Sequence, residues 1–559
     1  MADAGPSVGR SRNLVLAAMI FAVSMTFIDQ TIVSIAAPEI QRELGLSTTG
    51  MQWAINAYLL SLAALFAFGG RLADTVGHKK MVILGVVVFA ASSGMCGLTP
   101  KGSFAEAWIV TFRVIQGAGG AIMFPAALAI VVQTFELRQR GKALAIFFGI
   151  AGGLTAIGPV LGGYLTEWTW RAIFWVNIPV ALTALVLIFL SDPVTDHRPA
   201  RMDYRGLALI ASGVALSVLG FQQSTIWGWS DPLTGLCIAV GLVLLVVFGF
   251  VELRTEEPLI EMRIFNIRAF LAENVVLFIA MLVFIPVFFF SSEYAQVSLG
   301  QSASQAGIIL LYFFVGFAVA SQVGGRMLDR RGAKPPVAIG CALSAVGFAL
   351  WAGKVTQLSL HSQKWYIVLA GAGMGLMLSP ASTDAVNRAS RLSYGEATGI
   401  TQTVRNYAAS LGLAILGTIF VSQLRSRVTS SLLAQGVPAT QARATAAQIS
   451  EGQQTTTGSM QIPHVIRLDF AYATRTVYFI MAGIMAVAAL AAVIGLERGL
   501  QADHVVPPAG DPDDGSSVGP GPVDEEVGVG GDGRAGGDGG GEGGGPGGPG
   551  GAAPGTAPA

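Results

Sequence analysis

Long apolar runs separated by short polar segments dominate the chain. Runs of about 20 apolar residues, the length an α-helix needs to cross the hydrocarbon core of a bilayer, recur from residue 14 to residue 496. We predict fourteen membrane-spanning helices, at residues 14–37, 51–69, 81–99, 107–131, 143–164, 172–190, 206–223, 234–251, 270–290, 305–324, 336–353, 365–384, 398–421 and 474–496. The first run is too long for the apolar region of a signal peptide, so we expect it to remain as a span.

A charged, glycine-bounded segment occurs twice between these runs. Residues 70–80 read GRLADTVGHKK and residues 325–335 read GRMLDRRGAKP. Aligned without a gap, the two segments share five positions: Gly70 and Gly325, Arg71 and Arg326, Asp74 and Asp329, Gly77 and Gly332, and Lys79 and Lys334. Such a repeat is typical of transporters built from two similar helical halves. We predict six-helix bundles at 14–190 and 270–496, with two inserted linker helices at 206–251.

The composition agrees with a membrane protein. Apolar residues make up 52% of the chain and charged residues only 12%, with a mean hydropathy of +0.61. A soluble protein of this length needs a more polar surface, which indicates an all-α polytopic membrane protein. The net charge is zero and predicts no nucleic-acid partner. Cys96, Cys237 and Cys341 each lie in a different apolar run, so we expect no disulfide and no metal site.

The basic residues predict the orientation. Lys and Arg concentrate in alternate short loops, among them both repeated segments, and the positive-inside rule therefore places these loops and both termini in the cytoplasm. Residues 1–13 form a short cytoplasmic N-terminus. We predict residues 422–473 mainly as a solvated external loop, with a peripheral helix as the alternative. Residues 499–559 are rich in Gly and Pro, a composition that predicts a disordered cytoplasmic tail.

Asp29 is an acidic residue inside the first span. A carboxylate at hydrocarbon depth costs about 2.5–3.5 kcal/mol on insertion scales, and such residues usually mark a functional site. We interpret Asp29 as a proton or cationic-substrate site that faces a central cavity. The alternative is an Asp that stabilises helix packing through Thr26, Gln30 or a neighbouring span.

Four residues of the fourth span share one helix face, namely Arg113, Gln116, Gly117 and Gly120. The glycines permit close approach of another helix. Arg113 cannot lose its charge and needs an anionic or carbonyl partner. We predict a buried Arg113; the alternative is a side chain that extends to the external interface.

The fifth span is rich in glycine around one proline and reads GIAGGLTAIGPVLGGYL, with Gly149, Gly153, Gly158, Pro159, Gly162 and Gly163. Pro159 removes a backbone hydrogen bond, and the small residues let the helix press against a neighbour. We predict a kinked, closely packed element that acts as a hinge or seal. Ordinary glycine-mediated packing is the alternative.

Together these motifs resemble the fourteen-span drug:proton antiporters of the major facilitator superfamily, the branch of quaternary-ammonium and multidrug exporters. The resemblance rests on DQTIVSIAAP in the first span, GRLADTVGHKK after the second, RVIQGAGGA in the fourth, GIAGGLTAIGPVLGG in the fifth and WRAIFWVNIP from Trp170. It implies secondary active export, in which two bundles rock between alternating-access states while protons move inward.

The resemblance also implies roles for particular residues. Asp29 would be the protonation or substrate-charge site, and Arg113 would assist proton transfer by modulating a nearby carboxylate. The repeated segments would hold one conformation closed on the cytoplasmic side through Gly70, Arg71, Asp74, Gly77, Arg326, Asp329 and Gly332; the alternative is a solvated loop whose charges contribute little. The antiporter seal would comprise Gly153, Gly158, Pro159, Gly162 and Gly163.

The thirteenth span departs from the family pattern. Cation-selective members are expected to carry acidic residues there, whereas this span has none and contains Arg405, which argues against dicationic substrates. We hypothesise that Asp384 pairs with Arg405. The candidate cavity residues are Gln116, Glu273, Asn274, Asp384 and Arg405. Glu293 and Tyr294 lie at the outer end of the ninth span, where each is either a cavity residue or an interfacial one, and by depth we favour the interface for Glu293.

The sequence therefore predicts a proton-coupled antiporter in the cytoplasmic membrane that exports amphipathic drugs or antibiotics. One alternative is a dedicated exporter of a single endogenous metabolite or antibiotic; another is a membrane sensor or scaffold that transports nothing. We find no P-loop, no HExxH and no nucleophile with a paired base, so we expect no enzyme, no ATP and no cofactor. The expected partners are a small amphipathic substrate, protons and the lipid bilayer, and the expected energy source is the proton motive force.

Overall fold

The computed structural model of the chain describes residues 7–135, 137–193, 202–388, 394–450, 463–497 and 499. Within these ranges the chain is helical and contains no β-strand. The helices up to the inserted pair are α1 (Ser7–Leu44), α2 (Thr48–Val76), α3 (His78–Gly97), α4 (Ala105–Thr134), α5 (Leu137–Trp168), α6 (Ala172–Trp175), α7 (Asn177–Ser191), α8 (Tyr204–Trp227) and α9 (Pro232–Glu252).

The remaining helices follow a short 3-10 turn at Met262–Asn266. They are α10 (Arg268–Glu293), α11 (Ala303–Arg331), α12 (Lys334–Val355), α13 (Leu360–Arg388), α14 (Tyr394–Ala434), α15 (Ala439–Ser450) and α16 (His464–Gly495). A π-helical turn, Tyr294–Ser298, continues α10.

Each of the fourteen predicted spans falls on a helix. In the described ranges, thirteen helical segments are long and apolar enough to cross a membrane. One of them, Ala172–Ser191, joins α6 and α7. The fifth predicted span lies in α5, which has 32 residues. The helices are longer than the apolar runs, so that α1 already begins at Ser7, within the predicted N-terminal segment.

The repeated glycine-bounded segments form the same turn. Gly77 ends α2 with φ of 110° and Gly332 ends α11 with φ of 79°, a region of backbone conformation that glycine adopts without steric cost. The N–H of each glycine donates a 2.9 Å hydrogen bond to a carbonyl of the preceding helical turn, from Ala73 and Leu328 respectively. The glycine therefore stops one helix and allows the next to start at once.

Helices of the two predicted halves meet in three main pairs: α2 with α14, α5 with α11, and α1 with α10. The inserted helices α8 and α9 pack against each other, and α8 also contacts α2 and α14. The insertion thus lies against the seam between the halves on the side of the α2 and α14 pair.

The segment 422–473 is more helical than the sequence predicts. Helix α14 continues to Ala434, α15 follows, and α16 already begins at His464. The stretch is rich in Ala and Gln, which have high helix propensity, and the buried residues Ala442 and Ala446 anchor α15. Residues 451–462 lie outside the described part of the chain, and so does the predicted tail apart from Gly499.

Candidate functional site

The site lies between two differently packed ends of the helix bundle. We call the end where α2 meets α3 and α11 meets α12 the repeat-loop end. The opposite end, where α1 meets α2 and α5 meets α6, is called the far end. The helix order assigns each connection to one of these ends. The contact of α5 with the start of α11 places the beginning of α11 at the far end.

A buried carboxylate and a buried guanidinium form the centre of the site. Asp29 of α1 and Arg113 of α4 are 0% and 1% exposed. Arg113 Nη1 donates to Asp29 Oδ2, and Gln116 Nε2 donates a 2.9 Å hydrogen bond to Asp29 Oδ1. The predicted face of the fourth span thus directs two side chains at one carboxylate, and Arg113 lies in the interior, away from the membrane interface.

The same guanidinium is held by two further elements. Arg113 Nε donates to the Ala54 carbonyl of α2 at 2.9 Å, and Nη1 also donates to Gln116 Oε1 at 2.8 Å. Its Cζ atom lies 4.3 Å from the centroid of the Tyr58 ring, a cation–π contact. Tyr58 in turn donates to the Thr26 carbonyl of α1 at 3.3 Å. The network therefore connects α1, α2 and α4.

Small residues allow these helices to approach closely. A Cβ atom on Gly117 would lie 2.6 Å from the Tyr58 carbonyl oxygen, and one on Gly120 would lie 3.1 Å from Thr26 Cγ2. Both distances are at or below the limit for real side-chain contacts, so larger residues would push α4 away from α1 and α2.

Helix α5 lies between α1 and α11 at the far end. On one side, a Cβ atom on Gly162 would lie 3.1 Å from the Ile32 carbonyl oxygen; on the other, one on Gly163 would lie 2.7 Å from the Ala303 carbonyl oxygen. Gly307 of α11 packs in the same way against the Pro159 carbonyl.

Two further members of the predicted motif belong to the same helix. Gly158 faces Ile28 and Thr31 of α1, and Thr31 Oγ1 donates to the Thr155 carbonyl at 3.0 Å. Gly153 is part of α5, but its surroundings lie outside the described features. The glycine motif thus joins α1, close to Asp29, to the second half of the chain.

Polar contacts also close the seam at the far end. Gln296 Nε2 donates to the Ile35 carbonyl of α1 at 2.9 Å. Between α2 and α14, Ser410 Oγ donates to Asn56 Oδ1 at 3.1 Å. Asn56 Nδ2 donates to Gln222 Oε1 of the inserted helix α8 at 2.5 Å. The far end is therefore closed by contacts between the halves.

At the repeat-loop end the helices separate around a cavity of about 420 Å³. We call it the loop-end cavity; its lining includes Phe66, Gly70, Arg71, Asp74, Pro125 and Ile400, together with residues 256–261. Arg71 Nη2 donates to Glu257 Oε2 at 2.9 Å, and Asp74 Oδ1 lies 3.0 Å from His78 Nε2. In the second repeated segment, residues 325–335, neither Arg326 nor Asp329 forms an ion pair with another described residue.

A second, small cavity lies deeper, between α1, α2, α4 and α14. This central cavity has a volume of about 10 Å³ and is lined by Thr26, Phe27, Gln30, Leu62, Phe66, Phe124, Gln402 and Asn406. Phe66 lines both cavities. Gln30 is the direct chain neighbour of Asp29, so the central cavity adjoins the Asp29 and Arg113 network.

The hypothesis that Asp384 pairs with Arg405 is wrong. Asp384 accepts a 2.6 Å hydrogen bond from Nε of Arg388, one helical turn further along α13, and Arg388 also reaches Glu497 at 2.7 Å. Arg405 donates to Gln402 on its own helix instead. The reason is local, since an i,i+4 partner lies on the same helix face and needs no match between two helices.

Four other residues that the sequence analysis named lie in the interior of the second half. Glu273 and Asn274 of α10 are buried, and neither carboxylate oxygen of Glu273 has a hydrogen-bond partner among the described residues. Glu293, the last residue of α10, is 6% exposed and so buried within the bundle, while its interfacial depth stays a prediction. Tyr294 is buried as well and donates to the Val355 carbonyl at 2.7 Å.

Sequence reasoning missed Tyr58 and the two amides that α14 contributes to the central cavity. No local signal distinguishes Tyr58 from any aromatic residue in an apolar span. Gln402 and Asn406 did carry a signal, because two amides spaced i,i+4 in a membrane span share one face and need partners inside the protein.

The comparisons with known proteins agree with this architecture. The family model described as Major Facilitator Superfamily matches residues 19–413. A bacterial homologue of the human lysosomal transporter Spinster, solved in an inward-facing and unoccupied conformation, has a TM-score of 0.54 at 18% identity and covers 87% of this chain and 97% of its own. The D-xylose-proton symporter has a TM-score of 0.56 at 13% identity, covering 87% and 98%. At these identities the structures show the fold alone.

The protein therefore belongs to the Major Facilitator Superfamily; it is a multi-pass membrane transporter and not an enzyme. It is 33% identical over 415 residues to the tetracenomycin C resistance and export protein of Streptomyces glaucescens, covering 73% of this chain and 76% of that one. It is 31% identical over 426 residues to the puromycin resistance protein pur8 of Streptomyces alboniger, covering 74% and 82%. The multidrug transporter protein MdtP of Bacillus subtilis is 29% identical over 434 residues, covering 76% and 78%.

Proposed function

We propose that the protein exports amphipathic drugs or antibiotics across the cell membrane in exchange for protons, by alternating access. The observation that carries this proposal is the network of Asp29, Arg113 and Gln116 in the interior. An ionisable residue at this depth is costly and is kept where a pathway needs it.

The network couples a proton to the packing of three helices. Protonation of Asp29 neutralises the carboxylate and leaves the Arg113 guanidinium without its counter-ion in a place that excludes water. An unpaired buried charge is strongly unfavourable, whereas the pair is not. Because Arg113 also binds the α2 backbone and stacks on Tyr58, binding of the proton changes the relative free energy of two helix arrangements, which is the requirement for coupling.

The cavities indicate which access state is present. The positive-inside rule assigns the repeat-loop end to the cytoplasm, so the loop-end cavity faces inward. The far end is closed by glycine contacts between α5 and α11 and by the hydrogen bond from Gln296 to Ile35. Export requires these contacts to break while Arg71, Asp74 and their neighbours close the inner side.

The names of the relatives support two kinds of export, that of a single antibiotic and that of several drugs. Two of them are named for resistance to or export of a single antibiotic, and another is named as a multidrug transporter. A resistance profile decides between them for this chain: a dedicated exporter protects against one chemical scaffold, while a multidrug exporter protects against several. A sensor or scaffold protects against none.

The test is efflux from a pump-deficient host, measured with a panel of cationic dyes, neutral amphiphiles and antibiotics, with and without a protonophore. We compare the wild type with Asp29→Asn, Arg113→Ala and the control Glu39→Gln. Glu39 lies in the same helix as Asp29 but is partly exposed and paired with Arg42. We expect protonophore-sensitive export by the wild type and the control, and loss of export in the other two at equal membrane levels. Export by the wild type that the protonophore leaves unchanged contradicts the proposal.

A further inference from the structure

Arg405 of α14 is a partly buried cation in the predicted thirteenth span. Its Nη1 donates to Gln402 Oε1 at 2.8 Å, while its Nε atom is buried and has no hydrogen-bond partner among the described residues. Among the residues that the structure describes, no carboxylate forms an ion pair with it. Arg113, by contrast, has a carboxylate, an amide, a carbonyl and a ring as partners.

This difference has a physical consequence. A guanidinium stays charged at every pH that a cell experiences, so burial cannot be relieved by loss of a proton. A buried ion without its counter-ion is unfavourable, and intramembrane ionisable residues of this kind mark sites on a substrate path. Arg405 therefore presents a cation with free hydrogen-bonding capacity to an anion that arrives from outside the protein fold.

The neighbours of Arg405 place this cation beside the central cavity. Gln402 lines the cavity and lies three positions before Arg405, on the same helix face. The hydrogen bond from Arg405 Nη1 to Gln402 Oε1 therefore places the guanidinium within one hydrogen bond of a cavity-lining side chain.

The opposite wall of the central cavity is aromatic. The ring of Phe124 lies 5.6 Å from that of Phe27 and 5.3 Å from that of Phe66, measured between centroids. Aromatic rings at these distances offer faces and edges to a flat apolar ligand. The α14 side of the cavity is thus polar, with Arg405 bonded to Gln402 behind it, while α1, α2 and α4 contribute three aromatic rings beside Thr26, Gln30 and Leu62.

We propose that Arg405 binds the carboxylate or phenolate of an amphipathic aromatic substrate, whose ring system packs against Phe27, Phe66 and Phe124. Guanidinium groups bind carboxylates through paired, charge-assisted hydrogen bonds. The inference rests on the proposed export function and specifies its substrate class, namely organic anions. The absence of acidic residues from the thirteenth predicted span agrees with it, because cations would find no partner there.

Access to the site requires movement of one side chain and one helix. The central cavity of about 10 Å³ is too small for such a substrate, whereas the loop-end cavity of about 420 Å³ is large enough. Phe66 lines both cavities. A substrate that enters the loop-end cavity reaches Arg405 when Phe66 rotates and α14 moves away from α2.

The test compares three probes that share one ring system and differ in charge: 2-naphthoate, the neutral 2-naphthamide and the cationic 2-naphthyltrimethylammonium. Binding of each is measured by equilibrium dialysis with radiolabelled probe on the purified full-length protein in lipid nanodiscs, in sulfate buffer. The variants are Arg405→Gln, Arg405→Lys and the control Arg427→Gln. Arg427 lies on the same helix but is exposed and stacks on Tyr472.

We expect the wild type and the Arg427 variant to bind naphthoate at least about tenfold more tightly than naphthamide, the size of a hydrogen bond between charged groups. Arg405→Gln should remove this preference and leave the naphthamide affinity unchanged, and Arg405→Lys should keep part of it. Equal affinities for the two probes in the wild type overturn the inference. So does an Arg405→Gln variant that weakens both probes equally, since that result assigns the residue to structure alone.

Two further experiments distinguish this inference from an inorganic-anion site and from the export function itself. Replacement of sulfate by chloride should leave naphthoate binding unchanged, and displacement by chloride overturns the inference in favour of an inorganic-anion site. Proteoliposomes with an imposed pH gradient test export separately. Export of the cationic probe alone, unaffected by Arg405→Gln, retains the proposed function and overturns the anion site. Binding that depends on Arg405, without export of any probe, retains the anion site and rejects the export function.

Discussion

Gln116 donates a 2.9 Å hydrogen bond to Asp29 and accepts one of 2.8 Å from Arg113, so that it bridges the two members of the interior ion pair. Amide, carboxylate and guanidinium thus form a closed triangle in which each group contacts the other two. The triangle explains why a carboxylate, an amide and an arginine occur together in the two spans.

Replacement of Gln116 by Leu should destabilise this triangle. The substitution leaves Asp29 Oδ1 without its donor, and loss of a partner to a buried charged group costs about 1–3 kcal/mol. We expect a lower melting temperature of the purified protein and weaker export. Gln435→Leu serves as the control, because Gln435 is exposed at the end of α14. Equal melting temperatures for Gln116→Leu and the wild type would show that the bridge contributes nothing.

A methyl group at Gly163 should open the far end. The added Cβ would lie 2.7 Å from the Ala303 carbonyl oxygen, closer than real side chains approach, and would force α5 away from α11. Since that contact closes the far end, we expect greater accessibility there and reduced export. Accessibility is measured with a cysteine introduced at Ser304, as the rate at which a membrane-impermeant maleimide alkylates it.

The matched control is Gly353→Ala. Gly353 is also helical, but a Cβ atom there would have nothing within 4 Å, so the substitution should leave labelling and export as in the wild type. If Gly163→Ala and Gly353→Ala label equally, α5 and α11 do not form the closure.

The ion pair of Arg71 with Glu257 should influence conformation more than stability. The hydrogen bond is 2.9 Å long and both side chains are partly exposed, so the pair stabilises the fold by about 1 kcal/mol or less. It joins the repeated segment to the connection after the inserted helices. We expect Glu257→Lys to lower export, and the exchanged pair Arg71→Glu with Glu257→Lys to restore part of it. An exchanged pair no better than the single variants argues against a direct interaction.

The inserted helices should stabilise the seam between the halves. Asn56 bonds both Gln222 of α8 and Ser410 of α14, so Asn56→Leu removes two contacts and leaves the Gln222 and Ser410 side chains with fewer partners. We expect a lower melting temperature and a shift toward far-end opening, measured by the same cysteine labelling. Unchanged values in both measurements would mean that α8 does not hold the seam.

The spans and the repeat could be predicted from the sequence, because apolar length and glycine-bounded charges are strong local signals. The burial of Arg113 followed from its spacing to Gln116, Gly117 and Gly120 on one helix face. The positive φ at Gly77 and Gly332 accounts for the repeated glycine, since it lets a turn of only one or two residues join consecutive helices.

Which side chains contact each other could not be predicted from such local signals. Asp384 binds Arg388, four positions further along the same helix, and not Arg405; the sequence offers both arginines and does not rank them. The burial of Glu293 within the bundle depends on which neighbours cover its helix face, which its depth along the span does not report. The helix propensity of Ala and Gln favours helix in 422–450, but the packing of α15 against α14 is a tertiary contact that composition does not reveal.

The central claim is that Asp29 carries the proton that drives export. The most direct measurement is substrate-dependent proton movement in proteoliposomes that enclose a pH-sensitive dye, with a compound that the wild type exports. For the wild type and Glu39→Gln we predict a pH change inside the vesicles whose rate follows substrate transport. For Asp29→Asn we predict no such change, although the variant still binds the compound. Proton movement by Asp29→Asn at the wild-type rate would contradict the account.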